Sequence, residues 1–445
     1  MSSAISCLDT RYFNDVKELI HVCDDFAYYR NRIYVELKYF ELFTSHVITY
    51  NPYTDFTYND YLKLLESEEV LRHDVKAIEY FIKDIPEVKD TKKSYLVHAG
   101  LTSQDANSLG FMLCFRDSLF IILDNLNKLI HKFTDQLITP YLDNDILMLS
   151  YTHGQPATPT HFSKEMLIYK TRLNDIYNEI KQSVYNDLTV KFGGATGEMN
   201  ALKFSLPDIH WQEWADHFIK IFDLNLESSE NDIKMTSFKR TQYTNQCDNY
   251  DSVIKVLYML KRMLHILEHL RGNLWLYIHR EYFIQKNIKH EIGSSTMPQK
   301  INPIDLENAK TSIELAKRMI DGICDILTET SFQRDISDSS ALRNVSSLFG
   351  YALITLKKMS VGISRLQPNI KKIEEELIDH PEVILEGIQT YLKIHCNIEN
   401  SYEIIKTMSR GNKLTLLDIY CMIDLLDIDE THKIRLKDLT PETYK

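Results

Sequence analysis

Five polar clusters interrupt a chain that otherwise reads as helix, and each carries groups able to work on an anion. GSSTMPQKINP at 293–303 combines Gly293 with the hydroxyls of Ser294 and Ser295, the cation of Lys300, and Ile301-Asn302 ahead of a proline. THGQPATP at 152–159 sets His153 on a segment that Pro156 and Pro159 keep extended, just before a helix, so its imidazole can be aimed. RHD at 72–74 puts Arg72, His73 and Asp74 together; a carboxylate beside an imidazole can fix its tautomer and raise its basicity. HAGLTSQD at 98–105 supplies His98, Thr102 and Ser103. QRDISDSSALR at 333–343 supplies Arg334, Ser339, Ser340 and Arg343 around Ala341-Leu342, and two arginines with hydroxyls between them suit a phosphate or carboxylate. Any one cluster alone reads as a solvated loop, and a lone histidine is usually structural. Five in one helical chain would be an unusual set of solvated loops.

The elements that must position these clusters are long helices. Only 13 glycines and 11 prolines punctuate 445 residues, which argues against many short strands joined by turns. Leu119, Ile122, Leu126, Leu129, Phe133 and Leu137 recur in steps of three and four across 111–138. Val253, Val256, Leu260, Met263, Leu267, Leu270 and Leu274 do the same across 251–275, the pattern of a helix packed on near-parallel neighbours. A further helix is expected at about 163–186. Another starts at Asn302-Pro303, with Asn302 as N-cap, and runs through Leu306, Ile313, Ala316, Ile320 and Ile323. The fold class is all-α, in three helical domains: an N-terminal one at 1–107, a central long-helix bundle at 108–345, and a C-terminal one at 346–445.

A net charge of −12 argues against a nucleic-acid partner while leaving room for a local basic pocket. Seven cysteines with no CxxC pair, behind an N-terminus without a signal-peptide pattern, read as reduced thiols of a cytoplasmic protein. No apolar run reaches the roughly 18 residues of a membrane span. HILEH at 265–269 has the H-x-x-E-H spacing of some zinc sites, but it lies within the heptad helix, and outer-face histidines are the better reading. GGATG at 193–197 lacks the strand that a phosphate-cradling loop needs and reads as a tight turn.

GSSTMPQKINP carries the pattern G-S-S-x-M-P-x-K-x-N, and by it the chain resembles the fumarase/aspartase superfamily. THGQPATP, RHDVKAIEYF at 72–81, the Thr-Ser of GLTSQD and QRDISDSSALRN resemble the adenylosuccinate lyase family within it, in order and spacing from about Arg11 to beyond residue 390. A fumarase would show a THLQDATP-like segment where this chain has THGQPATP. The resemblance implies a homotetramer of long helices in which each site draws residues from three subunits. It implies non-hydrolytic C–N cleavage of adenylosuccinate to AMP and fumarate, and of succinylaminoimidazole carboxamide ribotide (SAICAR) to AICAR and fumarate, with no metal or organic cofactor.

By the same resemblance Ser294 is the general base and His153 the general acid, with His98 and Ser295 in support. Arg11 and Tyr12 would grip the phosphate end, and Arg72, His73 and Asp74 would line the site. Thr102 and Ser103 would hold a succinyl carboxylate, and Gln242 would contact the reacting region. Lys300, Ile301, Asn302 and Asn308 continue the site, while Arg334 and Ser339 to Arg343 would contact the nucleotide. Gly293 is expected to act as the hinge of a closing loop. Three departures stand out: SCLDTRY in place of SPxDGRY, Glu198 where a neutral Asn is common, and Lys289-His290 before the loop where Gly is usual. The alternatives are a sister lyase such as argininosuccinate lyase, which would not need the phosphate-reading arginines, and a catalytically silent structural homologue.

Overall fold

The computed structural model describes residues 5–227, 233–290, 293, 296–411 and 413–445. Ser294 and Ser295 therefore lie outside the described residues. Helix makes up 65% and strand only 6%, so the helical frame carries no more than short two-stranded pairings.

Six helices of 20 residues or more dominate the described residues: Asp25–Thr44, Ser103–Leu137, Phe162–Asn186, Asp251–His279, Ile304–Leu327 and Val345–Ser364. Their periodic apolar positions are the core. The seven seam residues from Val253 to Leu274 are all fully buried, as are Leu119, Ile122, Leu126, Leu129, Phe133 and Leu137. Each such side chain contributes about 1.5–3 kcal/mol relative to exposure. The stretch Ser103–Tyr141 is apolar and long enough to cross a membrane by composition, but 83% of its apolar 18-residue window is buried inside the protein, as in a core helix. The last helix expected from Asn302-Pro303 begins at Ile304 instead. Asn302 does not cap it; its side-chain amide donates to the Gly293 carbonyl at 3.0 Å.

The chain groups into two compact units, each assembled from separate stretches of sequence. One comprises 1–129, 173–268 and 307–359; the other comprises 130–172, 269–306 and 360–445. In the first unit, Asp24 caps the Asp25–Thr44 helix by accepting from the Ala27 amide at 2.9 Å. That helix buries Tyr29, Ile33, Leu37 and Phe40 against Ala77, Ile78 and Ile82 of the Asp74–Asp84 helix. In the second unit, strands Leu147–Thr152 and Gln155–His161 form an antiparallel hairpin. Leu149 roots it in a C-terminal apolar cluster with Leu377, Ile384, Ile388 and Leu392.

Candidate active site

In the first unit the RHD turn joins two helices. Arg72 ends the Tyr58–Leu71 helix in the left-handed region at φ 56, and His73 begins the next. His73 Nδ1 accepts from the Lys76 amide at 3.1 Å, so its tautomer is set by the helix end it caps. Asp74, expected to set that tautomer, turns elsewhere. Its Oδ2 receives Arg32 Nη1 at 2.6 Å and Arg343 Nη2 at 3.5 Å. Burial works to raise the Asp74 pKa, but the Arg32 charge and hydrogen bond outweigh it and hold the carboxyl below its ordinary range. Arg32 itself is fully buried, with its guanidinium over the rings of Tyr28 and Tyr29 at 4.2 and 4.3 Å. An added Cβ at Gly110 would stand 2.7 Å from Arg32 Cγ, so glycine in the core helix makes room for it.

Arg343 also reaches Asp25 at 3.7 Å, and its side chain stays 44% exposed. Asp74, Ser339, Leu342 and Arg343 line one small cavity of about 60 Å³ together with Phe111, Phe115 and Phe349. Arg334 Nη2 donates to Ser339 Oγ at 3.1 Å, and Gln104 Nε2 reaches the same oxygen at 3.3 Å. Arg334 and Arg343 thus flank a common hydroxyl-bearing segment, Ser337–Leu342, as the spacing anticipates. Ser340 is exposed and Ala341 is buried. Asn308 Nδ2 donates to Tyr12 Oη at 3.3 Å, which pairs two residues 296 positions apart. Arg11 and Arg72 are exposed.

Thr102 owes its placement to Asp105. This fully buried carboxylate accepts from the Thr102 amide at 2.9 Å, from Gly193 and Gly194 amides at 2.8 and 3.1 Å, and from Lys191 Nζ at 2.6 Å. Burial pulls the Lys191 pKa down against the attraction of Asp105. GGATG is the tight turn expected: Gly194 and Gly197 take φ 70 and 87. Gly197 packs so closely on the 241–249 loop that a Cβ would meet Thr244 O at 2.0 Å. That loop carries Gln242, whose side chain is exposed and whose Nε2 bonds Tyr243 Oη at 3.3 Å. Buried Asp248 holds it, taking Thr241 Oγ1 at 2.7 Å and the Asn249 amide at 2.9 Å. Burial pushes the Asp248 carboxyl up to about 6. Glu198 is largely exposed and faces Lys203 at 3.6 Å.

In the second unit His153 is the first residue of a two-residue turn. His153 and Gly154 have φ 54 and 73, the positive pair of a type I′ hairpin, and the imidazole is exposed at the tip. Lys300 is exposed, and its amide donates to Met297 O at 3.0 Å. The Ile301 carbonyl accepts Gln285 Nε2 at 2.8 Å. Gly293 does not take a left-handed φ. A Cβ there would lie 2.2 Å from Lys300 O, so glycine permits one end of the loop to press on the other. The residue expected to act as a hinge is also a site of close backbone approach. His290, where the sequence resemblance implies Gly, sits at φ 76. His269 Nδ1 accepts from Arg172 Nη1 at 3.0 Å, and among the described residues no group of three His, Cys, Asp or Glu is placed to hold a metal ion.

Arg32, Gln104, Asp105 and Asp248, which hold the expected residues in place, are not singled out by the sequence reading. Asp105 had a signal, its place three residues after Thr102 in the LTSQD block. Arg32 had none, because a buried arginine on a core-facing helix looks in sequence like a surface one.

The lyase family model matches residues 49–316, and the adenylosuccinate lyase C-terminal model matches 330–445. The chain is 35% identical to adenylosuccinate lyase from Dictyostelium discoideum over 99% of its own length and 96% of that protein. The chain belongs to the adenylosuccinate lyase family. The family's enzymes from Legionella pneumophila (strain Corby) and Escherichia coli (strain K12) are each 32% identical to it, again over 99% of the chain and 96% of theirs. This makes it a lyase of the fumarase/aspartase superfamily. Solved structures agree on the fold: a fumarate lyase from Mesorhizobium sp. BNC1 superposes with a TM-score of 0.73 at 15% identity, covering 96% of this chain and 94% of that one. The 3-carboxy-cis,cis-muconate lactonizing enzyme from Pseudomonas putida gives 0.70 at 16%, covering 96% and 93%.

Proposed function

We propose that this adenylosuccinate lyase family member eliminates fumarate both from adenylosuccinate, leaving AMP, and from SAICAR, leaving AICAR. The near-full-length match to adenylosuccinate lyases carries this reading. Ser294 removes the proton from the carbon beside a carboxylate. The dianion that forms needs strong stabilisation, which Lys300 and backbone amides of the 293–303 loop supply. As the C–N bond breaks, its electron pair stays on nitrogen, and His153 protonates the leaving group. The exposed position of His153 at a hairpin tip suits a residue that serves a site built by several chains. Arg334 and Arg343 read the nucleotide, and Thr102 with Ser103 the succinyl carboxylate. The enzyme works as a cytoplasmic homotetramer.

The test is to incubate the purified protein separately with adenylosuccinate, SAICAR and argininosuccinate and to assay fumarate. Fumarate from the first two alone is the expected result. Fumarate from argininosuccinate alone would mean that the arginine pair is not a phosphate site.

A further inference from the structure

The Asp25–Thr44 helix buries a carboxylate that no packing argument explains. Glu36 is 1% exposed in the middle of a core-facing helix. Its Oε1 lies 2.6 Å from Nδ1 of His98, and its Oε2 is buried without a hydrogen-bond partner. Two other carboxylates face the same imidazole, Glu79 from the Asp74–Asp84 helix and Asp105 from the start of the Ser103–Leu137 helix. Each of those has a lysine of its own. Glu79 is held by Lys76 at 2.8 Å and Lys83 at 2.5 Å, and Asp105 by Lys191 at 2.6 Å. Among the described residues Glu36 has no lysine or arginine within ion-pair distance; its one cationic partner is His98. A buried carboxylate left without a counter-charge is strongly destabilising, so the pair is stable with His98 charged.

We propose that Glu36 is a positioning residue that holds His98 as an imidazolium, Nδ1–H bonded to Glu36 and Nε2–H left to donate to an anionic group of the substrate. Nε2 has no protein partner among the described residues, and 17% of the side chain is open to solvent. The backbone aims it: His98 occupies the left-handed region at φ 64, an uncommon conformation for histidine. Its carbonyl takes the Leu101 amide at 3.3 Å, and the neighbouring Ala99 carbonyl takes Tyr39 Oη at 2.6 Å. The imidazole is thereby fixed four residues before Thr102. Burial opposes the charged ring, but the Glu36 charge and hydrogen bond outweigh it and the His98 pKa is raised.

This inference rests on the reading of the 98–103 segment as part of the substrate site. The variant is Glu36→Gln, which keeps an acceptor for Nδ1–H and removes the charge. Two measurements on the full-length enzyme go together. Histidine titration by NMR, with the His98 signal assigned by its loss in His98→Gln, should show His98 ionising at lower pH in Glu36→Gln than in the parent. The alkaline limb of the kcat/KM profile should move the same way, with about a tenfold loss at its alkaline end and near-parent activity at its acid end. Glu36→Asp should restore part of the shift. An unmoved His98 titration overturns the proposal whatever the activity. A moved titration with an unmoved pH profile also overturns it, because His98 is then charged but not used. Absence of adenylosuccinate cleavage in the parent enzyme would instead remove the functional reading, and the titration would still decide the ionisation of His98.

Discussion

Arg32 is the buried partner that holds Asp74 in place, and nothing in its sequence neighbourhood announces it. It is fully buried, and its best-placed carboxylate is Asp74 at 2.6 Å. Replacing it with Met would leave that carboxylate with only the longer contact to Arg343 at 3.5 Å, so Arg32→Met should cost about 3 kcal/mol of stability. Thermal unfolding should show the loss, and the Arg32→Met/Asp74→Asn double variant should lose less than the sum of its parts. The types and spacing of the polar clusters were legible because the chemistry of an anion site demands hydroxyls, arginines and histidines on non-helical segments. The partners were not legible. Asp74 lies next to His73 in sequence yet bonds Arg32, 42 positions away, because the His73 ring caps a helix and the Asp74 carboxylate points inward. Side-chain direction at a helix start is fixed by backbone geometry that a list of neighbouring residues does not contain.

At the scale of elements, the long helices were readable from period alone, since a buried face repeats every three or four residues. The His153 hairpin was read as an extended segment, and its turn went unrecognised because His-Gly is a rarer type I′ pair than Asn-Gly. Gly293 poses a related ambiguity. Glycine signals either freedom or lack of space, and at Gly293 the space between it and Lys300 decides. Gly293→Ala should therefore reduce turnover sharply while leaving the melting temperature near that of the parent; parental turnover would show that the close approach at Lys300 is not needed.

A second element, the 241–249 loop, has a pH signature. The folded Asp248 carboxyl ionises near 6 against an ordinary 3.8, so the native state holds its proton longer than the unfolded chain. Its stabilising contribution is complete below the ordinary value and is lost as pH rises through about 6. Relative to Asp248→Asn, the parent should lose about 2 kcal/mol between pH 4 and pH 7. Unfolding measured across that range should show the two curves diverging; parallel curves would mean that Asp248 titrates normally.

At the scale of the whole molecule, the regular seam from Val253 to Leu274 is already buried within a single chain, so it is not the face left over for partners. The same helix shows Tyr258, Trp275 and Leu276 outward, and the Ile304–Leu327 helix shows Leu315 and Ile326. With Ile304, they are exposed apolar side chains on these two helices among the described residues. If sites draw residues from several subunits, His153→Gln and Ser294→Ala, each inactive alone, should complement one another after mixing under conditions that exchange subunits. Recovery should approach about a quarter of parental turnover, since random assembly supplies an intact histidine and an intact serine to about that fraction of sites. Zero recovery from an exchanged mixture would place both residues on one chain.

The hairpin tip has a consequence for how such a chain can change. Its backbone would be better served by Asn-Gly than by the His153-Gly154 it carries. A selection that rewarded only abundance would favour His153→Asn, gaining in the turn what it lost in proton transfer. In a library scored both for protein level and for fumarate release, the two rankings should part most widely at this position.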